Sequence, residues 1–189
     1  MNVQELLGKK TIIIGETGTG KTKLLAEILG KLCGLLGPSK ITVIDLAPEK
    51  IRGTGGPLTL YIDTTPFHYL RPAVVYAPRL MACNAEDVIR YAKHNAEKSK
   101  ELFEKYLQRP TELLAINDMT IYLHAGETDQ LIKVVEKAAT FLATAYYGEK
   151  LADDFGTGLS RLEKEKLEII LEKVDNVVRL NSSGTPSHT

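Results

Sequence analysis

Short apolar runs alternate with longer amphipathic stretches along most of this sequence. Five runs have the length and β-branched content of buried strands, and they cover residues 11–14, 40–45, 73–77, 112–117 and 177–180. Between them, apolar residues recur three or four positions apart, which predicts helices over 21–36, 85–109, 129–146 and 160–174. Strands that alternate with helices favour right-handed crossovers and parallel pairing. The pattern therefore predicts a three-layer α/β fold, with a mainly parallel sheet of about five core strands and helices on both faces.

The remaining segments break this periodicity. Residues 51–72 are loosely patterned and contain several glycines, and 58–62 is a further strand candidate within them. Ser160 and Glu163 have the spacing of a capping box at the start of the last helix. We expect a single domain over residues 1–181 and a disordered tail over residues 182–189, which are small and polar.

One segment carries a specific chemical signal, because it follows the first predicted strand and opens the first predicted helix. Its glycines allow dihedrals that turn successive N–H groups inward, and the helix N-terminus adds partial positive charge. Lys21 supplies a mobile cation for the β- and γ-phosphates, and the Thr22 hydroxyl is placed to ligate Mg²⁺. The spacing G-x-x-x-x-G-K-[ST] predicts a phosphate-binding loop, called the 15–22 loop below, made of Gly15, Glu16, Thr17, Gly18, Thr19, Gly20, Lys21 and Thr22.

On this motif, GETGTGKT, the sequence resembles the P-loop NTPase superfamily. The resemblance covers eight residues, and it implies a parallel sheet, a nucleotide at the carboxyl ends of the strands, and Mg²⁺. The guanine-reading pattern [NT]-K-x-D is absent, which favours ATP over GTP. About a hundred residues separate the 15–22 loop from Asp118. A span of this length favours the RecA-like branch, in which ATP hydrolysis drives a conformational or assembly change.

A second signal is the pair Asn117-Asp118, which ends the predicted strand 112–117 and resembles the Walker B strand of that superfamily. The typical form has Asp in the first place, which Asn117 occupies here. We expect Asp118 to complete the metal shell, because a carboxylate offsets the Mg²⁺ charge better than an amide does. The alternatives are that Asp118 polarises the attacking water or forms a strand-end turn. Within the loop, Glu16 is a candidate to orient water.

Asp45 ends the second predicted strand and allows two interpretations. At the carboxyl end of a parallel strand it would face the same crevice as the 15–22 loop, where it could contribute to metal binding or hold a second substrate. Equally, it could cap the turn that follows. Combined with the glycine-rich 52–56 loop, the first interpretation suits a small-molecule phosphotransferase. A third hypothesis is a nucleotide-gated binding module with little hydrolysis. His124 is a weaker candidate, because lone histidines are more often structural.

Composition narrows the classes of partner. Twenty-four basic residues balance twenty-four acidic ones, and no evident patch for nucleic acid emerges. The sequence has no apolar stretch of membrane-spanning length and no signal-peptide apolar region, so we expect a cytoplasmic protein without a membrane partner. Cys33 and Cys83 have no metal-binding spacing. Besides the nucleotide, a protein partner or a homo-oligomer would suit an ATP-driven switch.

Overall fold

The computed structural model describes residues 2–51, 55–151, 153–181 and 186–188. Within these ranges the strands are β1 (Lys10–Gly15), β2 (Ile41–Asp45), β3 (His68–Leu70), β4 (Leu113–Asn117), β5 (Thr140–Tyr146), β6 (Asn176–Leu180) and β7 (Pro186–His188). The α-helices are α1 (Lys21–Leu36), α2 (Pro78–Met81), α3 (Ala85–Gln108), α4 (Thr120–Leu123), α5 (Thr128–Lys137) and α6 (Leu159–Leu171). Short 3-10 helices cover Val3–Leu6, Pro38–Lys40 and Leu58–Leu60.

The strands form one sheet in the order β3-β2-β4-β5-β1-β6-β7. Every pairing is parallel except that of β6 with β7, which confirms the predicted α/β fold with a mainly parallel sheet. Parallel strands end at the same edge of a sheet, so the carboxyl ends of β1, β5, β4 and β2 lie side by side. In register, Gly15 stands opposite Tyr146, and Asp45 stands opposite Asn117.

Alternate residues of the central strands enter two separate cores. Ile12 and Ile14 pack with apolar residues of α3, α4, α5 and α6, whereas Ile13 packs with those of α1. Helices therefore cover both faces of the sheet, as predicted. Burial on both faces explains why the sequence shows continuous apolar runs here rather than strict alternation.

Two predicted strands are wrong. Residues 73–77 join no strand, because the Asn95 side chain from α3 bonds both the N–H and the carbonyl of Tyr76. The edge strand beside β2 is instead β3, which lies a few residues earlier in the chain. Residues 58–62 are also not a strand, since Leu58–Leu60 forms a 3-10 helix.

The predicted helix over 129–146 is wrong in its second half. Helix α5 ends at Lys137, and β5 then runs through the middle of the sheet between β1 and β4. Leu142 fits the helical spacing of the residues before it, which made the two elements look continuous. In the structure, Phe141 and Leu142 enter opposite cores, as neighbouring residues of a strand must.

The end of the chain also differs from expectation. Helix α6 begins at Leu159, and the Glu163 carboxylate bonds Arg79 and His124, so the capping box is wrong. Residues 186–188, expected in a disordered tail, pair with β6, while 182–185 and 189 lie outside the described residues. Across the described part of the chain, no helix combines the length and the apolar character needed to cross a membrane.

Candidate functional site

The 15–22 loop joins the carboxyl end of β1 to the first turn of α1. Gly18 and Gly20 have φ angles of 78° and 87°, which side chains with a Cβ rarely adopt. A Cβ built at either position would meet nothing within 4 Å, so this side of the loop is open space. Gly15 has a different role, because its Cβ would lie 2.5 Å from the Leu180 carbonyl oxygen of β6.

Lys21 folds back over the loop that precedes it. Its Nζ donates to the carbonyl oxygens of Gly15 and Glu16, at 2.9 and 2.7 Å. Burial lowers the pKa of Lys21 below its ordinary value, although the nearby carboxylate of Asp118 opposes this shift. Burial has removed part of the hydration of this ammonium group. An incoming anion therefore stabilises it strongly, because the opposite charge replaces the lost interaction with water.

Thr22 and Asn117 connect the loop to β4. The Thr22 hydroxyl donates to Asn117 Oδ1 at 3.2 Å, and the hydroxyl of Thr144 on β5 donates to the same oxygen at 2.9 Å. The Asn117 amide group in turn donates to Asp45 Oδ1 at 2.9 Å. A buried chain of hydrogen bonds thus spans three neighbouring strands and fixes the position of Thr22.

Asp45 is fully buried, and its carboxylate is engaged by donors on all sides. Besides Asn117, it accepts hydrogen bonds from the N–H groups of Ala47 and Leu58 and from the Tyr69 hydroxyl. These contacts hold the connection that follows β2, which corresponds to the turn-capping interpretation of Asp45. It does not line the pocket described below. The proposed second-substrate residues 52–54 lie outside the described residues.

Asp118 directly follows β4 and adopts a left-handed φ of 56°. Its N–H donates to Thr144 Oγ1 at 2.7 Å, and its Oδ1 accepts from Thr120 Oγ1 at 3.1 Å. Burial raises the pKa of Asp118 above its ordinary value, although Lys21 opposes the shift. A bound cation would stabilise this buried carboxylate, because the opposite charge replaces its lost interaction with water.

The Glu16 side chain is held by backbone N–H groups. Its carboxylate accepts hydrogen bonds from the N–H groups of Glu149 and Lys150, in the segment after β5, and from that of Thr17. Burial would raise the pKa of Glu16, but these backbone donors outweigh it and hold the pKa below its ordinary value. The contacts tie the loop to the neighbouring segment and leave the carboxylate little freedom to orient water.

A pocket of about 240 Å³ opens beside the loop, and part of the predicted site lines it. The loop residues that line it are Thr17, Gly18, Gly20, Lys21 and Thr22. Asp118 and Thr144 line it from β4 and β5, and Pro48, Ile51 and Tyr61 add an apolar wall. Gly15, Glu16 and Thr19 do not line it, and Thr19 instead closes the loop by donating to the Glu16 carbonyl at 2.8 Å.

Sequence reasoning missed a buried ionic cluster next to this pocket. Arg79 makes two hydrogen bonds to the Glu163 carboxylate, at 3.2 and 3.0 Å, and their side chains are only 7% and 4% exposed. Glu163 also bonds His124 Nε2. Arg79 and His124 both line the pocket, and Arg79 lies over the Tyr146 ring. No motif links these residues, which lie on or next to α2, α4 and α6, and only the folded chain brings them together.

The residues of the pocket fit Mg²⁺ in company with phosphate. Thr22 offers a hydroxyl oxygen and Asp118 a carboxylate, and Mg²⁺ is commonly held by one or two carboxylates together with substrate phosphates and water. Within the described ranges, no cluster of three or more His, Cys, Asp or Glu could hold a metal ion by itself. This donor set therefore suits a cation that arrives with its phosphate ligand.

Comparison with known proteins finds similar solved structures but no matching family. No family model and no curated protein matches this sequence. One similar solved structure is the flagellar accessory protein FlaH from Methanocaldococcus jannaschii, with a TM-score of 0.48, 11% identity, and coverage of 92% of this chain and 71% of that one. Another is the PH0250 structure from Pyrococcus horikoshii OT3, with a TM-score of 0.43, 11% identity, and coverage of 97% and 89%. Both scores lie below 0.5, so neither similarity carries an argument about function.

Proposed function

We propose that this chain is a P-loop NTPase of the RecA-like kind, which binds Mg²⁺-ATP in the pocket beside the 15–22 loop and hydrolyses it. The observation that carries the proposal is the convergence of Lys21, Thr22 and Asp118 on one pocket next to an open glycine-rich turn. Lys21 and Thr22 follow β1 and Asp118 follows β4, and strand β5 lies between these two strands in the sheet. Such convergence suits a ligand that has both negative charge and a bound cation.

Each group has a distinct part in this proposal. Lys21 exchanges the carbonyl oxygens of Gly15 and Glu16 for phosphate oxygens, which relieves the desolvation of its ammonium group. Thr22 and Asp118 hold Mg²⁺, which when bound neutralises charge on the phosphates. Asn117 keeps the Thr22 hydroxyl in position. Hydrolysis would then drive a conformational change that is passed on to a protein partner or to a second copy of the chain.

A small-molecule phosphotransferase is the second candidate, and one observation favours it. The pocket extends beyond the loop to Pro48, Ile51, Gly55 and Tyr61, on the connection between β2 and β3, which leaves room for an acceptor. Asp45 contributes less to this candidate than its sequence position suggested, because its carboxylate is occupied by structural hydrogen bonds. A nucleotide-gated module with little hydrolysis is the third candidate, and the order Asn117-Asp118 favours it.

Phosphate release from Mg²⁺-ATP distinguishes these candidates. The ATPase proposal predicts steady release without any acceptor, and it predicts that Lys21→Ala abolishes this release. Release that appears only as transfer to an added small-molecule hydroxyl or phosphate acceptor would support the phosphotransferase. Tight binding with no release under either condition would support the gated module, and absence of binding would overturn all three.

A further inference from the structure

His124 has one ring nitrogen that nothing in the described structure satisfies. The side chain is almost fully buried, with the residue 4% exposed, and its Nε2 bonds the Glu163 carboxylate. Nδ1 is buried and has no hydrogen-bond partner among the described residues. Buried polar atoms without partners are uncommon because each costs the desolvation of a polar group, so this one calls for an explanation.

The surroundings fix which nitrogen of the His124 ring carries the proton. Arg79 donates to both oxygens of Glu163, and a guanidinium carries only donors and a fixed charge, so Glu163 is an ionised carboxylate. A carboxylate only accepts hydrogen bonds, so Nε2 must donate. In the neutral ring, Nδ1 is then an acceptor with a free lone pair. The same logic of a carboxylate that orients an imidazole operates in hydrolytic triads.

His124 is also part of the pocket wall. His124 lines the same pocket as Lys21, Thr22 and Asp118, and Arg79, which holds Glu163, lines it too. Hydrolysis at this pocket requires a water molecule that is placed next to the terminal phosphate and relieved of a proton. The alternative carboxylates are less suitable, since Glu16 is bound to backbone N–H groups and Asp118 faces Lys21 and the cation site.

We propose that His124 is the general base that accepts a proton from the attacking water, with Glu163 and Arg79 as positioning residues. This inference rests on the proposed ATPase function. The water oxygen forms a bond to the terminal phosphorus, and its proton passes to Nδ1 of His124. The bond from that phosphorus to the bridging oxygen breaks, and ADP leaves with the electron pair. The imidazolium then gives its proton to solvent, and the neutral ring is restored.

His124→Gln is the sharpest test, because the Gln amide retains a donor for Glu163 but provides no base. We expect Mg²⁺-ATP affinity within about threefold of the parent and a hydrolysis rate at least about a hundredfold lower, the usual scale of general-base catalysis. His124→Ala should lose the rate equally, and added imidazole should restore part of it in proportion to the neutral imidazole concentration. His94→Ala is the matched control, since Nε2 of His94 is also buried and unpartnered within the described structure, but His94 does not line the pocket.

The outcomes separate this inference from the proposed function. Loss of rate in His124→Gln with retained binding, rescue of His124→Ala by imidazole, and a parent-like His94→Ala would support the general base. Unchanged hydrolysis in His124→Gln, or a loss that imidazole does not relieve, would overturn the role of His124 and leave the ATPase proposal standing. A parent protein that neither binds nor hydrolyses Mg²⁺-ATP would overturn both. Circular dichroism of each variant identifies a loss that is due to misfolding.

Discussion

The hydroxyl of Thr22 donates a hydrogen bond to Oδ1 of Asn117, a residue 95 positions later in the chain, at 3.2 Å. Strand β5 lies between β1, which precedes Thr22, and β4, which carries Asn117. Its Thr144 hydroxyl donates to the same oxygen of Asn117. Asn117 therefore acts as a fixed acceptor that positions Thr22, and its amide group satisfies the buried Asp45. Asn117 is thus engaged through both its oxygen and its amide group, and Asp118, the next residue, is the carboxylate that lines the pocket.

We predict that Asn117→Asp destabilises the protein strongly. The new carboxylate would lie against Asp45 in place of an amide donor 2.9 Å away, in a fully buried position. We expect the free energy of unfolding to fall by about 3–5 kcal/mol, the usual cost of an uncompensated buried charge. Urea denaturation at neutral pH measures this directly.

The double variant Asp45→Asn with Asn117→Asp is the control for that prediction. It restores one amide and one carboxylate across the same contact, while the carboxylate introduced on β4 still accepts from Thr22 and Thr144. Much of the lost stability should return, although the N–H of Ala47 loses its acceptor. Equal stability of Asn117→Asp and the parent would show that the hydrogen bond between Asn117 and Asp45 is wrongly assigned.

The sequence was sufficient for those parts of the site that are local in the chain. The 15–22 loop, the ends of β2 and β4, and the two-sided burial of the sheet all follow from contiguous patterns of residues. Strand β5 was missed because its apolar residues continue the helical spacing of α5. The contacts of Thr144 and Tyr146 at the site were missed for the same reason. Arg79, His124 and Glu163 were missed as a group, because their contacts depend on how helices far apart in the chain pack together.

We predict that Asp118→Asn makes the ligand-free protein more stable. Burial raises the pKa of Asp118 in the folded state, so its ionisation at neutral pH costs stability that an amide does not. Asn also tolerates the left-handed φ of 56° at this position. The advantage of the variant should vanish below about pH 4, where Asp is protonated in both folded and unfolded chains, and should grow as the pH rises.

The same substitution should weaken Mg²⁺-ATP binding at least tenfold, because an amide offsets the cation charge poorly. Thermal denaturation over a range of pH, with and without Mg²⁺-ATP, measures both effects on the same samples. A variant that is less stable than the parent at pH 7 would contradict the burial of an ionised carboxylate here. Retained affinity with a reduced rate would instead assign Asp118 to water polarisation.

We predict that Glu16→Gln leaves hydrolysis largely unchanged and lowers thermal stability. Oε1 of Glu16 accepts from the N–H groups of Glu149 and Lys150, and Oε2 accepts from that of Thr17, so an amide oxygen in place of Oε1 leaves the Thr17 N–H without its acceptor. Steady-state phosphate release and thermal denaturation separate the two effects. A large loss of hydrolysis in a variant of normal stability would return Glu16 to the water-orienting role that its position in the loop first indicated.

The central claim is that the 15–22 loop binds the phosphates of Mg²⁺-ATP, and titration calorimetry with a non-hydrolysable Mg²⁺-ATP analogue tests it most directly. The parent should bind the analogue, and Lys21→Ala should bind it at least tenfold more weakly while remaining folded, because the substitution removes the cation that faces the phosphates. Lys31→Ala, an exposed position on the same helix that does not line the pocket, should bind like the parent. Equal affinity of Lys21→Ala and the parent for the analogue would contradict the account.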